Sequence, residues 1–415
     1  MQNTTNVIIK DILWCWRQNH SGNIKTDMQG KLKKATGWLH LWLGLVTGAI
    51  LIIVALTGSL LTFEDELETL LFRHDHVVTI EPNQRLPVDS LIKIAQASFP
   101  EKKVSRVTIP AEADRSVEIR MGIKGESKGA KVLFINPYNG LILYQGDYSQ
   151  RFFQQVRNLH RYLLLGSTGK IITGISCSIT LFMVISGLII WWPANKKAIK
   201  QRFRIKWNAS GKRLTWDLHA VSGFYVSIIL LLITLTGLIW SYDWPEKLIF
   251  RLTDGTVEKE AKIKNASKGK QANAGIYQQM LNQTDQLYPY RGELLMAIPP
   301  KATLAVTVQK EDANHTITTS NAAFFDSKTG AMLKKQPYQN LSTGTKIRKM
   351  MLPVHTGSLL GWPTKLLYLL VSLFTASLPV TGLLIWLNRK KKGSAARAKK
   401  RHPVLTKKKA AYTPV

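Results

Sequence analysis

A chain of 415 residues has room for a membrane core and one or two soluble domains. Its formal net charge of +31 would suit a nucleic-acid binder, but the charge is clustered: residues 1–36, 193–215 and 388–415 carry 6, 8 and 11 Lys/Arg against 2, 0 and 0 acids. All three segments flank apolar blocks, which is the positive-inside pattern, so membrane lipid and not nucleic acid is the expected partner.

In chain order, a basic segment (1–36) leads into an apolar block at 37–63, and three more follow at 168–192, 216–242 and 362–387. Each is long enough to cross a hydrocarbon core about 30 Å thick, which takes about 20 helical residues. Trp and Tyr collect at the block ends, among them Trp38, Trp42, Trp191, Trp192, Trp216, Trp240, Tyr242, Trp362 and Trp386, where amphipathic rings meet the membrane–water boundary. With 1–36, 193–215 and 388–415 inside, both termini are expected in the cytoplasm of a bacterium. The two long connections, 64–165 and 243–360, are then expected in the periplasm. No cleavable signal is expected, because the first apolar block is long and lacks a small-residue cleavage site. Cys15 and Cys177 form no disulfide framework.

The connections read as soluble α+β domains. In the first, the patterning predicts a helix over Val88–Ser98, strands over Val104–Ile109, Ser116–Ile123 and Lys131–Ile135, and a turn at Asn136-Pro137-Tyr138-Asn139-Gly140. In the second it predicts a helix over Ile276–Leu287, strands over Glu293–Ile298 and Thr303–Val308, and a turn at Asp326-Ser327-Lys328-Thr329-Gly330. Phe134 precedes Gly140 by six residues and Phe324 precedes Gly330 by six, so the two domains are of one kind.

An internal duplication carries the chemistry. His40 is followed by Gly44 and by Thr57-Gly58; His219 is followed at the same offsets by Gly223 and Thr236-Gly237. Two cations precede each at the same distance, Lys33 and Lys34, then Lys212 and Arg213. His160 leads to Gly166, Gly187 and Trp191, and His355 leads at the same offsets to Gly361, Gly382 and Trp386. The expected fold is thus an α-helical membrane protein, with four transmembrane helices as two parallel repeats about an axis along the membrane normal.

Ionisable side chains in membrane spans are rare and mark function. The symmetry pairs His40 with His219 on the cytoplasmic side and His160 with His355 on the periplasmic side. Neutral imidazole is a common metal ligand, and haem iron takes axial ligands from both faces. The four histidines are therefore expected to hold two haems, with Gly44, Gly223, Gly58 and Gly237 clearing helix faces for the macrocycles. Propionates want cations: Lys33, Lys34, Lys212 and Arg213 on the inner side, and Arg151, Arg157, Arg161 and Lys346 on the outer side. As one helix, His160 to Trp192 would span about 48 Å, too long for the bilayer core, so breaks are expected near Gly166 and Gly169, and near Gly361 and Pro363. His74 and His76 fall on one face if the segment is a strand, and otherwise in an exposed turn after the first span.

These residues resemble the PepSY-associated transmembrane family, which includes iron-regulated membrane proteins and ferric-siderophore reductases. The resemblance covers about residues 33–390 and rests on Gly37-Trp38-Leu39-His40, Trp216-Asp217-Leu218-His219, Thr57-Gly58, Gly187-Leu188-Ile189-Ile190-Trp191-Trp192 and the two turns, which depart in part from the family's Asp-Pro-x-Thr-Gly. It implies two b-type haems, PepSY-like domains, a place in the bacterial inner membrane, and a role in iron acquisition: one-electron reduction of a ferric siderophore to release Fe(II). No Gly-rich dinucleotide fingerprint is present, so no bound flavin or NAD(P) is expected, and electrons would come from quinol or a cytoplasmic reductase. The alternatives are a haem carrier serving another periplasmic acceptor, or a non-enzymatic PepSY-type binding or regulatory membrane protein.

Overall fold

The computed structural model describes residues 2–122, 129–193, 199–256, 263–267, 275–301, 303–312 and 319–401, with side chains placed between 31 and 390. The Cys15 side chain, part of the 193–215 loop and the end of the basic tail lie outside the described residues.

Among the described residues, four helices are long and apolar enough to cross a membrane: Lys31–Thr62 within α1 (Gln2–Thr62), then Gly166–Trp191, Gly211–Ser241, and Trp362–Lys390 within a helix running to Arg401. They make this a multi-pass membrane protein. Many of their apolar side chains are exposed, including Val46, Ile171, Ile228 and Leu370, as expected of surfaces that face lipid.

After α1 come two short helices, α2 (Glu64–Leu71) and α3 (Arg73–His76), then α4 (Val88–Ser98) and strands β1 (Val104–Ile109), β2 (Val117–Met121), β3 (Lys131–Ile135) and β4 (Ile142–Asp147). Helix α5 (Phe152–Tyr162) leads to the second apolar helix, α6 (Gly166–Trp191). Beyond it lie α7 (Ile199–Arg202), the third apolar helix α8 (Gly211–Ser241), α9 (Trp244–Asp254) and α10 (Ile276–Leu287). Strands β5 (Leu294–Ala297), β6 (Val306–Asp312), β7 (Thr319–Phe325) and β8 (Met332–Gln336), helix α11 (Thr343–Thr356) and the fourth apolar helix α12 (Trp362–Arg401) complete the order.

All eight strands belong to one antiparallel sheet, in the order β4-β3-β2-β1-β5-β6-β7-β8. The join is β1 on β5, with Val107 opposite Met296 and Ile109 opposite Leu294. One face packs on α4 and α10 through a shared core that includes Leu91, Val107, Ile119, Met280, Met296 and Phe325. The helices also cap each other: Asp89 accepts the backbone N–H groups of Tyr277 and Gln278, and the Gln278 amide oxygen accepts that of Val88. The two predicted turns have one geometry, each closed by an N–H···O bond of 2.9 Å from Gly140 to Asn136 and from Gly330 to Asp326. Both glycines have positive φ, and a Cβ would lie 2.8 Å from Ile94 Cδ1 or 2.9 Å from Ile276 Cγ1.

The other face of the sheet is charged. Glu118 pairs with Arg120, whose guanidinium lies over the Tyr148 ring. Glu293, at the entry to β5, is pushed up to about 7 by burial and then by Glu311, Glu118, Asp65 and Glu112. The folded chain therefore keeps a proton there that the unfolded chain gives up near 4.5, so stability falls as pH rises from 4.5 through 7. Glu293→Gln is expected to flatten that fall and to raise the melting temperature on the alkaline side. Thermal scans over the interval check it, and an unaltered slope would exclude Glu293 as its source.

The breaks expected between the soluble parts and the second and fourth spans are present. Leu163, Leu164 and Gly166 all have positive φ, and the chain turns so sharply that a Cβ on Gly169 would lie 1.6 Å from the Tyr162 carbonyl oxygen. In the second half the helix stops at Gly357, and Gly361 at φ 71° precedes α12.

The chain divides into two compact units, residues 1–52, 179–231 and 374–415 in one and 53–178 and 232–373 in the other. Each contains one histidine pair.

Candidate paired-histidine sites

In the first unit, His40 on α1 and His219 on α8 have ring centroids 6.5 Å apart at 90°. In the second, His160 on α5 and His355 on α11 stand 6.3 Å apart at 72°. The pairs are those the duplication predicts.

Each imidazole is held by a hydroxyl–glycine dipeptide on another helix. His40 Nδ1 lies 2.8 Å from Ser186 Oγ, and a Cβ on Gly187 would sit 3.3 Å from His40 Cε1. His219 Nδ1 is 3.0 Å from Thr381 Oγ1 and 3.2 Å from the Leu378 carbonyl, with Gly382 facing its Cε1 at 3.4 Å. His160 Nδ1 meets Thr57 Oγ1 at 3.1 Å and the Val54 carbonyl at 3.0 Å, with Gly58 at 3.2 Å. His355 Nδ1 meets Thr236 Oγ1 and the Ile233 carbonyl, both at 3.0 Å, with Gly237 at 3.4 Å.

The hydroxyls decide where the ring proton sits. Ser186, Thr57, Thr236 and Thr381 each donate to a carbonyl of their own preceding turn. Their oxygens are therefore left to accept, and the carbonyls beside three of the rings can only accept. Every Nδ1 thus carries the proton and every Nε2 carries a lone pair. No hydrogen bond to any of the four Nε2 atoms is seen among the described residues. Burial and the facing His355 push His160 down to about 4, and burial pushes His355 to about 4, so both rings outside the spans are neutral near neutrality. Two such rings can grip one metal atom from opposite sides. With a metal about 2 Å from each nitrogen, the ring centroids would be roughly 6 Å apart, matching both pairs.

Of the glycines expected to clear space, Gly58 faces His160 and Gly237 faces His355. Gly44 instead meets Met183 and Gly223 meets Leu378. The predicted cations divide. Arg213 pairs with fully buried Asp217 at 2.9 Å, Arg157 pairs with Glu64, and Lys34 is exposed. Lys346 reaches the Gln339 carbonyl and Arg161 lies over Tyr162. Arg151 is buried in a knot, donating to Asp75 at 2.5 Å and Glu68 at 2.7 Å among the Phe72, Phe134 and Tyr144 rings. That knot sits at the head of α5 and fixes the helix that carries His160.

Of the two readings of His74-Asp75-His76, the turn after the first span is the one found, as the short helix α3. Asp75 turns inward to Arg151, His76 packs on Phe134 at 4.5 Å, and His74 is exposed, so the two imidazoles share no strand face. Sequence reasoning did not assign Ser186, Thr381, Gly187 and Gly382 to the site. Their signal lies in the offsets: Ser186-Gly187 follows His160 by 26 and 27 residues and Thr381-Gly382 follows His355 by the same, so the duplication marks both.

A pocket close by is lined by Glu64, Glu118, Arg120, Tyr148, Arg151 and Arg157, the last one turn before His160 on α5. Among the described residues no group of three or more His, Cys, Asp or Glu side chains is placed to hold a metal ion. The family model described as the PepSY-associated TM region matches residues 37–389. No curated protein matches the chain.

Proposed function

Because the chain belongs to the PepSY-associated TM family, we propose that its histidine pairs hold two b-type haems, and that it passes electrons across the bacterial inner membrane to reduce ferric siderophores. The observation that carries this reading is the repeated geometry: two pairs, each at a metal-bridging separation, each ring with its proton locked on Nδ1. Two imidazoles are too few for a centre built from protein alone, which takes three or four donors. Held by these residues, a haem would supply the remaining donors and a reversible one-electron couple.

The chain's own residues do four things. Ser186, Thr381, Thr57 and Thr236 orient the rings and make them better donors by accepting from Nδ1–H. Gly187, Gly382, Gly58 and Gly237 let the helices approach without a Cβ pressing on the ring. The apolar spans exclude water, which lowers the reorganisation that accompanies charge movement. The basic segments fix orientation, placing His40 and His219 toward the cytoplasm and the sheet in the periplasm.

The two halves read as parallel repeats, each of an outward span, an α+β insertion and an inward span. The matching turns, the sheet order and the four dipeptides support that reading. An electron enters from quinol or a cytoplasmic reductase and leaves to the Fe(III) of a chelate outside. Fe(III) becomes Fe(II), which hard oxygen donors hold less tightly, and the metal is released. The charged pocket beside α5 gives polar chelates an approach to the outer pair.

The test is an absorption spectrum of the full chain purified from haem-replete cells, with haem counted per chain. Two reducible low-spin b haems, reoxidised anaerobically by ferric siderophores, are expected. A colourless protein would end the haem reading, and haems that no ferric chelate reoxidises would end the iron reading.

A further inference from the structure

Trp191 ends α6, one turn beyond Gly187, so both lie on the same face of that helix. Gly187 is the residue against His40 Cε1. Side chains on a helix lean toward its N-terminus, which brings the Trp191 indole back toward the level of His40. The ring is 6 % exposed and stacks on Phe224 at 4.0 Å and 19°, with Phe203 against it at 5.0 Å. Phe224 follows Gly223, one turn along α8 from His219. The indole is thus fixed in place between the helix that cradles His40 and the helix that carries His219.

Its Nε1–H is buried and has no hydrogen-bond partner among the described residues. An indole N–H can only donate, and leaving it unmet costs about 1–3 kcal/mol. The surrounding cations are occupied by protein oxygens: Arg202 donates to the Trp191 carbonyl at 2.6 Å, Lys33 to the Trp192 carbonyl at 2.8 Å, and Arg213 to Asp217. A rigid, dry, unused donor beside a basic rim suits an anionic acceptor, and a carboxylate meets it with a charge-assisted bond. The corresponding residue of the second half, Trp386, differs: it is not buried, and Lys390 lies over its ring at 5.3 Å.

We infer that Trp191 Nε1–H hydrogen-bonds a carboxylate of the group held between His40 and His219. Resting on the haem reading above, this is a propionate of the inner haem. The two-fold pattern of ligation is therefore broken at the cofactor rim, where one half donates an indole N–H and the other does not.

The experiment uses full-length protein carrying His355→Ala, made under haem limitation, so that only the inner pair binds. Haem and its dimethyl ester are titrated into this protein and into versions with Trp191→Phe or Trp386→Phe, and binding is read by absorbance. Phenylalanine keeps an aromatic ring against Phe224 and removes the N–H with part of the indole, a loss of packing that haem and its ester feel alike. Trp191→Phe is expected to weaken haem binding roughly tenfold, as loss of one hydrogen bond to a charged group predicts, and to leave ester binding nearly unchanged. Trp386→Phe is expected to leave both unchanged. Equal haem affinity in Trp191→Phe and the parent, or equal losses for haem and ester, would overturn the inference while leaving paired-histidine ligation standing. Failure of the parent to bind haem at all would instead overturn the reading beneath it.

Discussion

Alanine at His40 or at His219 is expected to remove the same haem, so that each variant purifies with about half the parent's haem and the double variant loses no more. Alanine at His160 or His355 is expected to remove the other. The 6.5 Å and 6.3 Å ring separations join residues 179 and 195 positions apart in sequence, and among the described residues each ring is the other's only facing imidazole. Removing one would leave a single protein donor at that site, too few to hold the group. Haem counting together with a redox titration of the four variants decides the matter, since the surviving couple should be identical within each pair. If His40→Ala and His160→Ala depleted one shared couple, the pairing would be wrong.

Arg151→Ala is expected to cost roughly 3–5 kcal/mol, the range for breaking a buried ion pair by removing one partner. Asp75 is 1 % exposed and Arg151 7 %, so the carboxylate cannot turn to water when the guanidinium is lost. Glu68 is left with His76 alone of its two partners, and three aromatic rings lose the cation they surround. Lysine is not expected to rescue, because one ammonium cannot reproduce a fork that bridges two carboxylates. Since Arg151 precedes α5, the haem at His160 and His355 should be lost at a lower temperature than the other. Thermal release of each haem, followed by its spectrum, checks this. Simultaneous release at the parent temperature would show that the knot does not secure the helix.

Much of this architecture is legible in the chain because its signals are local. The helices Val88–Ser98 and Ile276–Leu287 are found where the patterning places them, as are β1 and β3, and the four spans lie where the apolar blocks do. Strands β4 and β8 have little apolar patterning because they lie at the sheet edges, with residues such as Gln145 and Lys335 in solvent-facing positions. The β1–β5 join is illegible for another reason: its partners lie nearly two hundred residues apart, and each strand alone is compatible with any edge. The histidine pairing is readable because duplication supplies the missing distance information. The cations were less so. Asp217, four residues after Arg213, announces its own partner, but Glu64 meets Arg157 only through the tertiary fold. The α3 turn defeats alternation reasoning because an inward-facing Asp75 depends on an arginine 76 residues away.

The single sheet has a consequence for biogenesis. When the first insertion has left the ribosome, β1 has β2 on one side and nothing on the other, and the N-terminal turn of α4 lacks the acceptor on Gln278. Only after two more apolar helices have been inserted does β5 emerge to close the gap. Until then the nascent half offers an open strand edge, a template for pairing with a neighbouring copy. Closure of the sheet therefore waits until the middle of the polypeptide has been made, and a stall before that point leaves an adhesive half-sheet.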